Sequence, residues 1–399
     1  MAADETRARW KVAGAFTWFG AIGGSFAVIA LDVQVSLGLG PGAFGALLSV
    51  GFALGAAAQL AGGVSVERGG EAGALRRAAV LVSATLLAIA AAPASVPLAL
   101  AVVAMLSATG ALNATLNACA AASVSGDTRR FVRYHACFSG GAFAGAVLTA
   151  TIEVAGGSWR VVWVLLGAVG AGLAMAYMAD RRPVVAADHD EPPSLRSVTA
   201  LLRTPAIRDL AVLLCTAVAA ASAVDTWGVR YLRIDRGASV AGGAGAYAIG
   251  QLVAVFARTR LVPRSDARHA RPVAAVAGLL AVGLLVERSA PADWLAGAGL
   301  AAAAVAAALV VPLLLARAGA SDRPGAAVAA AGAVGQLGFV VGPVLVGAAT
   351  SVGGAGSGLV VAAALALLTA IGVLRWLSVD ATSGVSDCGA AMSSGGGTG

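Results

Sequence analysis

Two windows of this 399-residue chain, residues 33–66 and 78–126, carry no charged side chain at all. The hydrocarbon core of a bilayer takes roughly 20 apolar residues per helical crossing, so each window is long enough to cross, turn and cross back. Lipid offers the backbone no hydrogen bonds, which leaves helices or a closed barrel as the crossing elements. The windows are built from Ala, Gly, Val and Leu, without the apolar–polar alternation of barrel strands. Charged residues make up 12% of the chain against the quarter or so usual in soluble domains, and mean hydropathy is +0.87. The chain is therefore expected to be an all-α polytopic membrane protein.

Hydropathy places twelve spans at about 12–34, 43–65, 77–93, 97–122, 132–155, 159–179, 208–228, 238–257, 271–287, 293–316, 325–350 and 355–377. Arg7, Arg9 and Lys11 precede the first, as in a signal peptide, but that span is too long for one and eleven more follow. The stretch RRPVVAADHDEPPSLRSV (181–198) divides the spans into two sets of six. Residues 1–180 are read as one half, 181–206 as a central loop, 207–379 as the second half, and 380–399 as a disordered tail too polar and Gly-rich to bury a core. A faint repeat at an offset of 192 supports the division, since Gln59-Leu60 and Arg68 recur as Gln251-Leu252 and Arg260. With the N-terminus in the cytoplasm, 22 of the 27 basic residues fall in inner segments; only Arg160, Arg230, Arg233, Arg236 and Arg288 fall outside. The positive-inside rule thus puts both termini in the cytoplasm of a multi-pass protein of the inner (plasma) membrane. It also accounts for the net charge of +7 without any nucleic-acid partner.

Between spans two and three the chain reads GGVSVERGGEAGALRRAAVL (62–81), an unusually polar run for so apolar a protein. Gly63, Glu67, Arg68 and Gly70, followed by Arg76 and Arg77, match in spacing the charged turn that marks the major facilitator superfamily, with a small insertion before the last two arginines. RYHACFSGGAFAGAVL (133–148), GALNATLNA (110–118), DTWGVRYLR (225–233) and GQLGFVVGPVLVG (335–347) resemble runs in spans five, four, seven and eleven of the fucose-permease-like branch. The resemblance implies twelve helices in two six-helix halves that rock about a central site. It also implies that Glu67 latches onto the N-terminal end of span eleven, where a carboxylate gains hydrogen bonds and dipole energy. One departure is Ala221, where that branch often carries a Glu.

Ionisable groups inside a span are costly, so each is a functional candidate. Asp32 and Asp225, near the ends of spans one and seven, are candidates for proton coupling, or else sit in the headgroup zone, Asp225 pairing with Arg230. Asn113 and Asn117 share a helix face and could meet the hydroxyl or amide groups of a solute, or bond neighbouring helices. His135, at the start of span five, suits a proton relay or a structural cap. Gln251, Gln336 and Trp227 are further cavity candidates, and Pro343 between Gly342 and Gly347 is expected to bend span eleven. Three scattered histidines, four isolated cysteines and a single lysine supply no metal site, disulfide framework or nucleotide loop, so no cofactor and no enzyme activity are expected. The expected function is secondary active transport of a small solute by a monomer, with the proton as coupling ion. Export of a hydrophobic metabolite or drug, or a receptor that keeps the fold without transporting, stand as alternatives.

Overall fold

The computed structural model describes residues 2–124, 128–178, 202–260, 270–318 and 324–393; for 2–9, 60–71, 121–124, 128–131, 324–329 and 376–393, and at 270, 316 and 318, it describes the backbone alone. Twelve helical segments among these are long and apolar enough to cross a membrane: Trp10–Leu37, Pro41–Gln59, Ala72–Ala91, Ser95–Ala120, Val132–Val154, Trp159–Met178, Pro205–Ile234, Val240–Arg260, Arg271–Ser289, Asp293–Leu315, Ala330–Gly353 and Ala355–Arg375. They are spans one to twelve below. The described residues include no strand.

Small residues decide which helices meet. A methyl group added to Gly20 or Gly24 of span one would run into the carbonyl groups of Phe138 and Ala142, and one on Gly141 or Gly145 of span five into those of Thr17 and Ala21. Spans one and five therefore touch backbone to backbone, the packing that dispersion favours where lipid supplies no hydrophobic drive. Spans two and four meet the same way at Gly55 and Gly110, and span six sets Gly167 and Gly170 against Leu87 and Ser83 of span three. The second half repeats the scheme six spans on. Gly338 and Gly342 of span eleven lie on Cys215, Ala219 and Ser222 of span seven, Gly250 of span eight lies on Ala301 and Ala304 of span ten, and span nine packs on span twelve. Two halves with the same internal pairing are a repeat that sequence alone shows only faintly.

Four local features depart from the hydropathy reading. Helix runs unbroken from Pro41 to Ala91, through the stretch read as a turn between spans two and three. That helix cannot be straight. Leu106, eleven residues into the next helix, touches Gly51 and Gly55, which lie some forty residues, or ~60 Å of straight helix, before Ala91. The chain therefore changes direction within the run Pro41–Ala91, which holds both span two and span three. Span seven runs past residue 228 to Ile234 and contains a π-helical turn, Val224–Gly228. Span eleven is interrupted at Gln336, and Pro343 lies inside the helix Leu337–Gly353. The last helix continues to Ser393, beyond the expected start of a disordered tail, with no proline to stop it. The central loop falls outside the described residues except at its end, from Leu202.

Candidate functional site: the seam between the halves

The two halves meet along a seam, tied at the end of the bundle that carries few arginines. Span seven supplies three of the ties because its π-turn carries the helix on to residues that hydropathy reads as loop. Arg233 grips Asp32 of span one with both nitrogens, at 2.6 and 3.1 Å, and also donates to the Val28 carbonyl. The Nε of Arg230 donates to Gln34 Oε1 at 2.9 Å, and its guanidinium lies 5.0 Å from the centre of the Trp227 ring. Trp227 in turn meets Phe44 of span two edge to face, with ring centres 6.3 Å apart. Arg230 is only 6% exposed. Asp225 is not its partner.

Spans two and eleven continue the closure. The Gly42 amide donates to Ser351 Oγ at 2.8 Å, Gly45 abuts the Pro343 carbonyl, Ser49 Oγ donates to the Val340 carbonyl at 2.6 Å, and Phe52 stacks on Phe339. Ten residues separate Gly42 from Phe52, so this zipper descends ~15 Å from the arginine-poor end. Gly347 packs on Pro41 and Gly45, and Gly342 on span seven, so both glycines serve close approach. Gln336, half-buried, sits at the interruption one turn before Phe339.

A polar strip runs along span eight from the bundle interior toward its arginine-rich end. Tyr247, Gln251 and Arg258 lie at i, i+4 and i+11, which places them on one helix face. The Tyr247 hydroxyl donates to Asp225 Oδ1 at 2.8 Å, and Gln251 bonds the same hydroxyl. Arg258, 5% exposed, reaches across to the first half, donating to Ser139 Oγ at 2.7 Å and to the His135 carbonyl at 2.5 Å, while its Nε binds the Ala308 carbonyl of span ten. The His135 ring itself packs edge-on against Phe16. Two buried atoms near this seam, Trp227 Nε1 and Gln251 Oε1, have no hydrogen-bond partner. Buried polar atoms are rarely left so, and these are available to water or to a solute.

Of the residues singled out in sequence, Asp225 and Gln251 meet through Tyr247, while Trp227 and Asp32 belong to the ties at the arginine-poor end. His135 contributes through its backbone. Asn113 and Asn117 bond each other, Asn117 Nδ2 donating to Asn113 Oδ1 at 2.9 Å, on half-buried positions of span four. The side chains of Gly63, Glu67, Arg68 and Gly70 lie outside the described residues; Arg76 and Arg77 are exposed at the start of span three. Several residues at the seam escaped sequence reasoning, Gln34, Ser49 and Ser139 among them. Arg233 and Arg258 count among loop charges in the sequence, Arg230 stands there only as a candidate partner of Asp225, and Tyr247 is not singled out. The available signal was the spacing of Tyr247, Gln251 and Arg258 on one face.

A bundle of twelve membrane-spanning helices, split into two similarly paired sets of six that meet at a seam, defines the architecture of alternating-access membrane carriers. The family model "Major Facilitator Superfamily" matches residues 12–322, and the chain belongs to that superfamily. No curated protein sequence matches it. Among solved structures it resembles the nucleoside transporter NupG (12% identity, TM-score 0.72, covering 92% of this chain and 99% of that one). It also resembles a protein described under substrate recognition in proton-dependent oligopeptide transporters (16%, 0.71, 94% and 100%). A third likeness is to the fucose:proton symporter of E. coli (15%, 0.61, 92% and 98%). At these identities the likeness is one of fold.

Proposed function

We propose that this protein is a secondary active transporter of the inner (plasma) membrane, described here with its outer gate closed. The observation that carries the proposal is the run of ties at one end of the seam: Asp32–Arg233, Gln34–Arg230 and the zipper of spans two and eleven join the halves at the arginine-poor end, which the positive-inside rule assigns to the outside, while Arg258 reaches from span eight to span five toward the other end. Contacts of this kind can be made and broken as rigid halves rock. Asp32, held by Arg233, is a gate residue on this reading. Asp225, bonded to a single tyrosine beside the unpartnered Gln251 oxygen, is the candidate for proton coupling. The solute is small and at least partly polar, because Gln251 Oε1 and Trp227 Nε1 offer one acceptor and one donor at the seam.

The Glu67 latch on span eleven remains part of the proposal, as do the cytoplasmic termini and the monomeric state. The stacked Phe52–Phe339 pair on the seam favours a second reading, export of a solute with an apolar body. Proteoliposomes bearing an imposed proton gradient separate the two: uptake of nucleosides, sugars or peptides supports the first, and extrusion of a lipophilic dye the second. Asp225→Asn should uncouple either flux from the gradient. A wild-type protein that moves no compound of either kind, yet binds one, would be a receptor.

A further inference from the structure

Glu287 closes span nine one turn from the arginine-poor end, and its exposure is 0%. Neither carboxyl oxygen has a hydrogen-bond partner. The surroundings explain this. The backbone of Glu287 packs against Gly299 of span ten, and its Oε1 would lie 3.6 Å from a methyl group placed on Gly228, the last residue of the π-turn in span seven. Leu300 fills the space beside them. Among the polar groups at this end, the Tyr231 hydroxyl donates to the Arg288 carbonyl, and Arg236 donates from one nitrogen to the Ala290 carbonyl while its Nε, without a hydrogen-bond partner, lies 3.7 Å from Asp293. Arg288 of the same helix is exposed and lies against Gly356, and span twelve has no charged residue before Arg375. An ionised carboxylate in such a place would be desolvated and unpaired, which costs far more than carrying a proton.

The position of the π-turn gives that proton a purpose. Trp227 and Arg230 hold the first half on one side of this turn, and on the other the side-chain-free Gly228 faces Glu287. A single helix thickness therefore separates the outer gate from the buried acid. π-turns are weakly held and concentrate at functional sites. We propose that Glu287 is a second proton-binding site, a neutral acid while span seven is clamped to the first half, which exchanges its proton with the outside past Gly228 when the gate opens. No covalent step is involved; one proton leaves Oε1 or Oε2 for water and returns. The inference rests on the alternating-access reading above, and it differs from that reading's coupling residue, Asp225, which bonds Tyr247 at the seam.

The gate can be locked for a test. A methyl group on Gly42 would lie 3.7 Å from Ser351 Cβ, within the range a disulfide requires, so Gly42→Cys with Ser351→Cys should bridge the closed gate once the native cysteines are replaced. Infrared spectra of the purified protein should show a neutral carboxylic-acid carbonyl band that Glu287→Gln removes and Glu287→Asp shifts, the second variant guarding against misfolding of the first. In the reduced protein the band should fade as pH rises. With the disulfide formed it should persist over the same range and respond again on reduction. Absence of a Glu287-dependent band overturns the proposal, and so does one that titrates alike in locked and reduced protein. Electron-resonance distances across the gate keep the two readings apart. A gate that opens on reduction without any change in the band removes Glu287 alone; a gate that never opens removes alternating access with it.

Discussion

Single side chains decide how firmly the halves are joined. Asp32 and Arg233 form a two-pronged charged pair in a half-buried setting, where hydrogen bonds between charged groups contribute about 1.5–3 kcal/mol. Asp32→Asn keeps the shape but loses the charge and one acceptor. It should move the balance toward the outward-open form by about 1.4 kcal/mol, or tenfold. A cysteine at buried Ser49 reports this as a comparable rise in labelling by an impermeant thiol reagent added outside; unchanged labelling would contradict the gate role. Arg258 differs in kind, because its planar fork serves three acceptors on two halves. Lysine cannot reproduce that fork, so Arg258→Lys should leave a buried acceptor unmet and cost about 1–3 kcal/mol, seen as a lower melting temperature in detergent. An unaltered melting temperature would show that the arginine is dispensable. Both arginines were hidden in the sequence by the rule that made the topology readable: a basic residue at the end of an apolar run scores as a loop charge whichever way it points. Asp225 and Gln251 were visible because they fall within predicted spans, where polar groups are costly, whereas Glu287 ends its run and looked like a boundary.

At the level of helices, glycine does two jobs that composition cannot separate. Gly24 holds span one on span five within a half, and Gly45 holds span two on span eleven across the seam. In both places a methyl group would strike a backbone carbonyl. Gly24→Ala should therefore lower thermal stability by several degrees, since the contact is part of one rigid half. Gly45→Ala should leave stability nearly intact and instead favour the open gate, because the seam can separate where the core of a half cannot. Paired melting and Ser49→Cys labelling measurements distinguish these outcomes; a stability loss at Gly45 equal to that at Gly24 would mean the seam does not open. The span boundaries were legible to within about six residues because lipid thickness fixes them. The π-turn in span seven, the interruption at Gln336 and the helical run that joins spans two and three were not, because each depends on what the helix meets and not on how apolar it is.

For the molecule as a whole, twelve crossings and their division were readable from hydropathy and arginine placement, while the identical pairing of spans in the two halves required coordinates. That pairing makes each half a body that can move as one, and the central claim is that the halves rock about the strip formed by Asp225, Tyr247, Gln251 and Arg258. The most direct measurement places spin labels in liposome-embedded protein at Ala94 and Val352 on the arginine-poor end, and at Arg76 and Thr204 on the other, all exposed positions. The account predicts two distances at each pair that exchange in opposite senses, with the Gly42–Ser351 disulfide leaving only the short distance at the first pair and the long one at the second. A single unchanging distance at both ends, or two ends that lengthen together, would contradict it.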